Sequence, residues 1–135
     1  MKIQIESTVN NTIDKVWDCW TNPEHIVNWN FASDDWHCPN ATNDLKVGGK
    51  FSSTMAAKDG SFSFEFAGIY DELIHHQYIK YTMEDGRQVE TTFKVENNSV
   101  LITSIFDAEE INSADMQKSG WQAILNNFKK YTESK

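Results

Sequence analysis

The 135 residues are enough for one domain that buries roughly two-thirds of the surface of its extended chain, so a sizeable core needs no disulfide or metal staple. Twenty acidic residues against 12 basic ones leave a formal charge of -8 with no Lys/Arg cluster, which argues against nucleic acid and anionic membranes as partners. Aromatic residues make up 13% of the chain, so much of the interior must be built of rings, and rings leave gaps in which ligands can sit.

In chain order, residues 2–9 alternate, with Ile3 and Ile5 on one face and Lys2, Gln4 and Glu6 on the other, which predicts a half-buried strand. Asn11 reads as an N-cap with Asp14 at the third helical position, and Ile13, Val16, Trp17 and Trp20 form an apolar stripe at helical spacing. Asn22-Pro23 repeats the start signal and opens a second short helix carrying Ile26, Val27 and Trp29. Residues 30–44 have weak periodicity and read as loop with at most a short edge strand. From Gly48 the pattern is a meander with strands over 49–57, 61–73, 77–84, 87–96 and 99–106. Its turns are Lys58-Asp59-Gly60, Glu84-Asp85-Gly86 and Glu96-Asn97-Asn98, where Gly and Asn tolerate positive φ.

Alternation assigns the inward faces. Phe51, Ser53 and Met55 share one, as do Phe62, Phe64 and Phe66, then Ile79, Tyr81 and Met83, then Val89, Thr91, Phe93 and Val95, then Leu101, Thr103 and Ile105. Gln88, Glu90, Thr92 and Lys94 face water. The last segment is a long helix, capped by Asn112 or Ser113. At about 100° per residue, Trp121, Ile124, Leu125, Phe128 and Tyr131 fall within an arc of about 120°, the width of a helix laid on a sheet. Gly120 beside Trp121 costs about 1 kcal/mol of helix propensity relative to Ala, so close packing or cavity space must want the missing side chain.

Several pieces carry a likeness in this order: Val16-Trp17, Asn22-Pro23-Glu24-His25-Ile26, Trp29, Trp36 with Cys38-Pro39, Asp44-Leu45-Lys46-Val47-Gly48-Gly49, Gly68-Ile69-Tyr70 and Gly120-Trp121-Gln122-Ala123-Ile124-Leu125. Together they resemble the homologues of the activator of heat-shock protein 90 ATPase, within the START-like superfamily of birch-pollen allergens, lipid-transfer domains and polyketide cyclases. The likeness spans the whole chain, read as a single START-like domain over residues 1–135. It implies an α+β helix-grip fold: a curved antiparallel sheet wrapped around a long C-terminal helix, with two short helices after the first strand and an apolar cavity between sheet and helix. The eukaryotic activators resemble this chain only in their C-terminal half, and their N-terminal domain has no counterpart in these 135 residues, so ATPase stimulation is not implied.

Other chemistry is thinly represented. Cys19 and Cys38 form no CxxC pair, and a reducing compartment suits them. His37 and Cys38 are adjacent in an extended segment and point to opposite sides, which suits neither a thiol nucleophile nor a metal. His75-His76 reads as a solvated turn, and His25 as exposed. Neither metal nor cofactor is expected. No run of about 18 apolar residues and no apolar signal segment occurs, so a cytoplasmic protein without membrane insertion is expected.

The expected function is binding or carriage of a small hydrophobic ligand such as a lipid, polyketide-like molecule or aromatic metabolite. Its contacts would be Trp29, Phe51, Met55, Phe64, Phe66, Tyr81, Phe93, Trp121 and Leu125, with Ser53, Tyr81, Thr91 and Thr103 supplying inward polar groups. The rivals are a stress-related interaction module touching a chaperone and a cavity enzyme of cyclase type. The expected assembly is a monomer or homodimer.

Overall fold

The computed structural model describes residues 1–135. The elements are β1 (Lys2–Val9), α1 (Ile13–Thr21), α2 (Pro23–Ile26), β2 (Trp36–Asn43), β3 (Lys50–Ala57), β4 (Ser63–Ile74), β5 (Tyr78–Met83), β6 (Gln88–Glu96), β7 (Ser99–Asp107) and α3 (Ala114–Glu133). All seven strands join one antiparallel sheet in the order β1-β7-β6-β5-β4-β3-β2. The sheet curls into a half-barrel around α3, the α+β helix-grip arrangement, with α1 and α2 closing one end. No helix is long and apolar enough to cross a membrane.

Three local expectations are corrected. The N-cap of α1 is Thr12, whose Oγ1 accepts from the Lys15 amide at 3.3 Å. Asn11 is used elsewhere: its Nδ2 donates to the Thr132 carbonyl at 2.9 Å and ties the β1–α1 turn to the end of α3. Residues 36–43, read as loop with at most a short edge strand, form the eight-residue edge strand β2. Pro39 lacks the amide a ladder needs, and the strand accommodates it by a register shift between His37 and Asn40, the edge position at which proline is tolerated.

The third correction concerns β7, whose inward residues are Val100, Ile102, Ser104 and Phe106, not Leu101, Thr103 and Ile105. Apolar residues stand at both parities in Leu101-Ile102-Thr103-Ser104-Ile105-Phe106, so alternation alone cannot choose a face. The hairpin does choose. Asn97, at φ 54°, makes a two-residue turn that pairs Glu96 with Ser99 and Val95 with Val100. Every residue of β7 then takes the face of its β6 partner, and a slip of one would expose Ile102 and Phe106, both 0% exposed. Val95 has the inward parity but lies past the covered area, and it is exposed.

The core runs from Ile3, Ile5 and Val9 through Val100, Ile102 and Phe106 to Leu125 and Phe128 of α3. Helix α3 packs chiefly along β1 and touches α1. Its polar flank serves the unpaired edge of β1: Gln122 Nε2 donates to the Glu6 carbonyl at 3.1 Å and Lys129 Nζ to the Thr8 carbonyl at 2.5 Å. Glu133 accepts from the Asn10 amide at 2.8 Å. The helix thus satisfies backbone groups that an open sheet edge would leave to another chain.

Two carboxylates hold this arrangement against acid. Lys129 and the Asn10 amide hold Glu133 below the usual carboxylate range, and Lys2 with the Gln88 amide does the same for Asp107. Because the folded values are lowered, the unfolded chain takes up protons first as the pH falls, and stability present above the ordinary carboxylate value is lost below it. Thermal unfolding followed by circular dichroism should show a Tm that is level above about pH 5 and falls below about pH 4. In Glu133→Gln that fall should be shallower.

Candidate functional site

Because α3 lies against β1, it stands off from β3, β4 and β5, and a pocket of about 610 Å³ remains between the helix and the concave face of the sheet. Of its 32 lining residues 18 are hydrophobic, so the wall favours apolar matter. The wall itself is a ring system: Phe51 meets Tyr81 edge-on with centroids 4.7 Å apart, Tyr70 at 5.3 Å and Phe66 at 6.0 Å. From the opposite side Trp121 stacks on Phe106 at 4.0 Å and meets the edge of Phe66 at 5.9 Å, so its indole spans the gap that the helix backbone leaves.

A second ring cluster is solid. Trp20 contacts Trp29, Phe93 and Phe128 with centroids 5.4, 5.5 and 4.8 Å apart, and Trp17 reaches Phe93 at 5.3 Å. This cluster plugs the α1–α2 end. Trp29 is locked in it by a hydrogen bond from Nε1 to the Cys19 carbonyl at 2.9 Å, and it forms the pocket floor.

Eight of the nine residues singled out from sequence, Trp29, Phe51, Met55, Phe64, Phe66, Tyr81, Trp121 and Leu125, line the same pocket. Phe93 does not: it is buried in the plug between Trp17 and Trp20. Phe64 sits at the rim, 45% exposed, beside Trp36 and Phe62. Of the polar groups expected inside, Ser53, Tyr81 and Thr91 line the pocket and Thr103 faces outward, its place taken by Ser104. Thr91 and Ser104 hydroxyls bond each other at 2.8 Å.

The buried ionisable groups of the pocket are two phenols. Burial raises Tyr70 to about 12, and its hydroxyl donates to Asn43 Oδ1 at 2.6 Å. Burial raises Tyr81 further, and its hydroxyl has no partner in the protein. Both are protonated near neutral pH and serve as donors, not bases. Burial also raises the Cys19 and Cys38 thiols, which keeps them from thiolate chemistry. No group of three or more His, Cys, Asp or Glu residues comes together in a way that could hold a metal ion.

Three of the four histidines make packing or polar contacts between elements. His25 is only partly exposed: Nδ1 meets the Tyr131 hydroxyl at 2.6 Å and Nε2 meets Asp18 Oδ2 at 3.1 Å, so it clamps α2 between α1 and α3. His75 and His76 stack at 3.7 Å against the edge of Trp17, and His76, at φ 65°, reaches Asp14 at 3.3 Å.

A family profile described as "Activator of Hsp90 ATPase homolog 1-like protein" matches residues 10–133. The chain belongs to this family. Among solved structures it is similar to the AHSA1-like protein from Aeromonas hydrophila, with 42% identity and a TM-score of 0.93 over 99% of this chain and 93% of that one. A protein from Cytophaga hutchinsonii shows 52% identity and a TM-score of 0.85 over 98% and 92% of the two chains. A protein from Chromobacterium violaceum, 18% identical with a TM-score of 0.88 over 98% of both chains, shares the fold. No curated protein matches the chain.

Within this member of the Hsp90-activator-like family, Gln117 and Arg87 shape the pocket without any signal in the sequence reading, and Gly68, quoted there only for its family likeness, shapes it too. Gln117 is buried at the start of α3: its Oε1 accepts from the Glu109 amide at 2.8 Å and its Nε2 donates to the Asn112 carbonyl at 2.8 Å, pinning the β7–α3 loop at the mouth. Arg87, half-buried, is the one cationic residue of the lining. Gly68 lies beneath the Phe51 ring, where an added Cβ would come within 2.8 Å of both that ring and the Thr82 carbonyl oxygen. Gly68→Ala should therefore lower stability by about 1–3 kcal/mol in urea unfolding, as overpacking does, and displace Phe51 from the wall.

Proposed function

We propose that this protein binds a small, largely apolar molecule in the pocket between the concave face of the sheet and α3. One observation carries the reading: a 610 Å³ space, walled mainly by apolar and aromatic side chains, persists in a fold that seals its other end with a solid cluster of rings. A ligand that buries about 300 Å² of apolar surface there gains roughly 7 kcal/mol before ordering costs, which supports micromolar or weaker affinity. Two protonated tyrosines can orient such a guest by hydrogen bonds. They offer no general base near neutral pH, so carriage or sensing fits this lining better than acid–base catalysis of cyclase type.

A second reading has one observation in its favour. Phe62, 59% exposed, stands with Phe64 and Trp36 in an aromatic corner at the pocket rim, centroids 6.1 Å apart, and such a surface suits contact with a protein such as a chaperone. Phe62→Ser should abolish capture of an Hsp90-type chaperone if this corner does the work, and leave ligand binding intact.

Gly120 supplies the test of the pocket. It stands one turn before Ile124 on the flank of the inward face, and an added Cβ would meet nothing within 4 Å. Gly120→Leu can therefore fill the mouth without a backbone clash, and it gains helix propensity. Titration with the uncharged apolar dye Nile red should show saturable one-to-one binding to the native protein. Gly120→Leu should weaken it by at least about tenfold with an unchanged or higher Tm. Absence of saturable binding by dye titration and by native mass spectrometry of apolar extracts would overturn the reading.

A further inference from the structure

The pocket is apolar but not featureless, and its polar groups are distributed unevenly. The pairing of β5 with β6 sets Tyr81 opposite Val89, and the Met83 amide bonds the Arg87 carbonyl at 2.8 Å. Met83, Tyr81, Val89 and Arg87 consequently share the concave face, and Arg87 is the diagonal cross-strand neighbour of Tyr81 at the end of the sheet nearest the mouth.

Arg87 is held in place there. Its Nε donates to Asp85 Oδ2 at 2.8 Å, and Asp85 Oδ1 accepts from the Arg87 amide at 3.1 Å. The two terminal guanidinium nitrogens have no acceptor in the protein, although the side chain is only 23% exposed. The Tyr81 hydroxyl is likewise without a protein partner, and the positive charge of Arg87 opposes the upward pull of burial on that phenol.

The acidic residues around the pocket are already engaged, apart from one. Glu109 accepts from the Asn112 amide at 2.8 Å and from Asn112 Nδ2 at 2.6 Å, Glu65 from Ser52 and Thr54, and Asp85 from Arg87. Glu84 is exposed at the turn. Among the charged groups and phenols of the lining, the unsatisfied capacity is therefore on the donor side: a guanidinium edge and a phenol, next to a wall of rings. A half-buried donor set of this kind is best matched by an anionic acceptor, because charge-assisted bonds to a planar guanidinium are roughly twice as strong as neutral ones and fit a carboxylate.

We infer that the ligand is an amphipathic monocarboxylate, with its carboxylate on the outer edge of Arg87 and on the Tyr81 hydroxyl and its apolar body directed inward between Trp121 and the Phe51–Phe66 wall. This rests on the pocket being the binding site. It adds the chemical class of the guest and the direction in which it lies, head at the mouth and body toward Trp29.

The test uses two probes that share one apolar body, pyrenebutyrate and pyrenebutanol, titrated by fluorescence into the native protein, Arg87→Gln and Tyr81→Phe. The native protein should bind the acid at least about tenfold more tightly than the alcohol. Arg87→Gln should bring the two affinities together by weakening the acid alone, and Tyr81→Phe should narrow the gap in the same sense. Equal binding of acid and alcohol by the native protein, or a preference that survives Arg87→Gln, overturns the carboxylate assignment and leaves the pocket as a binding site. Binding of neither probe overturns both.

Discussion

The placement of α3 decides almost everything else. One helix cannot fill a half-barrel of seven strands, so it must choose a side, and this helix takes β1. Polar groups mark that side, as do the apolar contacts of Leu125 and Phe128. The free edge of β1 presents carbonyls that need donors, and Gln122, Lys129 and Asn11 span the junction where the edge and the helix meet. Bonds to one strand edge hold the helix there, and the uncovered part of the face becomes a pocket.

The distribution of rings follows from this. At the α1–α2 end α1, the segment after α2, β6 and α3 converge, and Trp17, Trp20, Trp29, Phe93 and Phe128 pack ring against ring. At the other end only Trp121 reaches across, so the rings of β3, β4 and β5 face a gap. The same residue type thus serves as filler in one half of the molecule and as lining in the other. What separates the two roles is the number of elements that meet, not the chemistry of the side chain.

That distinction explains how much was legible beforehand. Strands β1 and β3 to β7 and the meander turns follow from alternation and the Gly and Asn positions nearly to the residue, and the three helices follow from helical spacing and Asn22-Pro23, although α2 ends at Ile26 and leaves Val27 and Trp29 beyond it. Parity on β7 was misread because its sequence is apolar on both faces, although the Asn97-Asn98 turn, combined with the face of β6, contained the answer. β2 is longer than the short edge strand its weak periodicity allows, because the register shift around Pro39 breaks the alternation and only the sheet edge makes that proline tolerable. Phe93 was placed in the pocket because its face is right, whereas its position along the strand puts it against Trp17 and Trp20. Arg87 is the opposite case: it lies within the expected strand over 87–96 and, two residues before Val89, carries the inward parity, but a charged residue beside a turn reads as solvated. Face is a local property of the chain, while depth along the cavity depends on what comes down from above.

Gly120 shows which way the balance between stability and space has tipped. A glycine in the body of a long helix forfeits roughly 1 kcal/mol relative to alanine. Such a loss is offset where another backbone packs too closely for a side chain, but nothing lies within 4 Å of the Cβ this position would carry. Gly68, by contrast, is required by the ring above it. With close packing removed as a reason at position 120, the remaining one is the open space beside Trp121, which a larger side chain would occupy. The interior is therefore less stable than the same fold could be with a filled mouth, and the deficit lies at the point where a guest would have to pass.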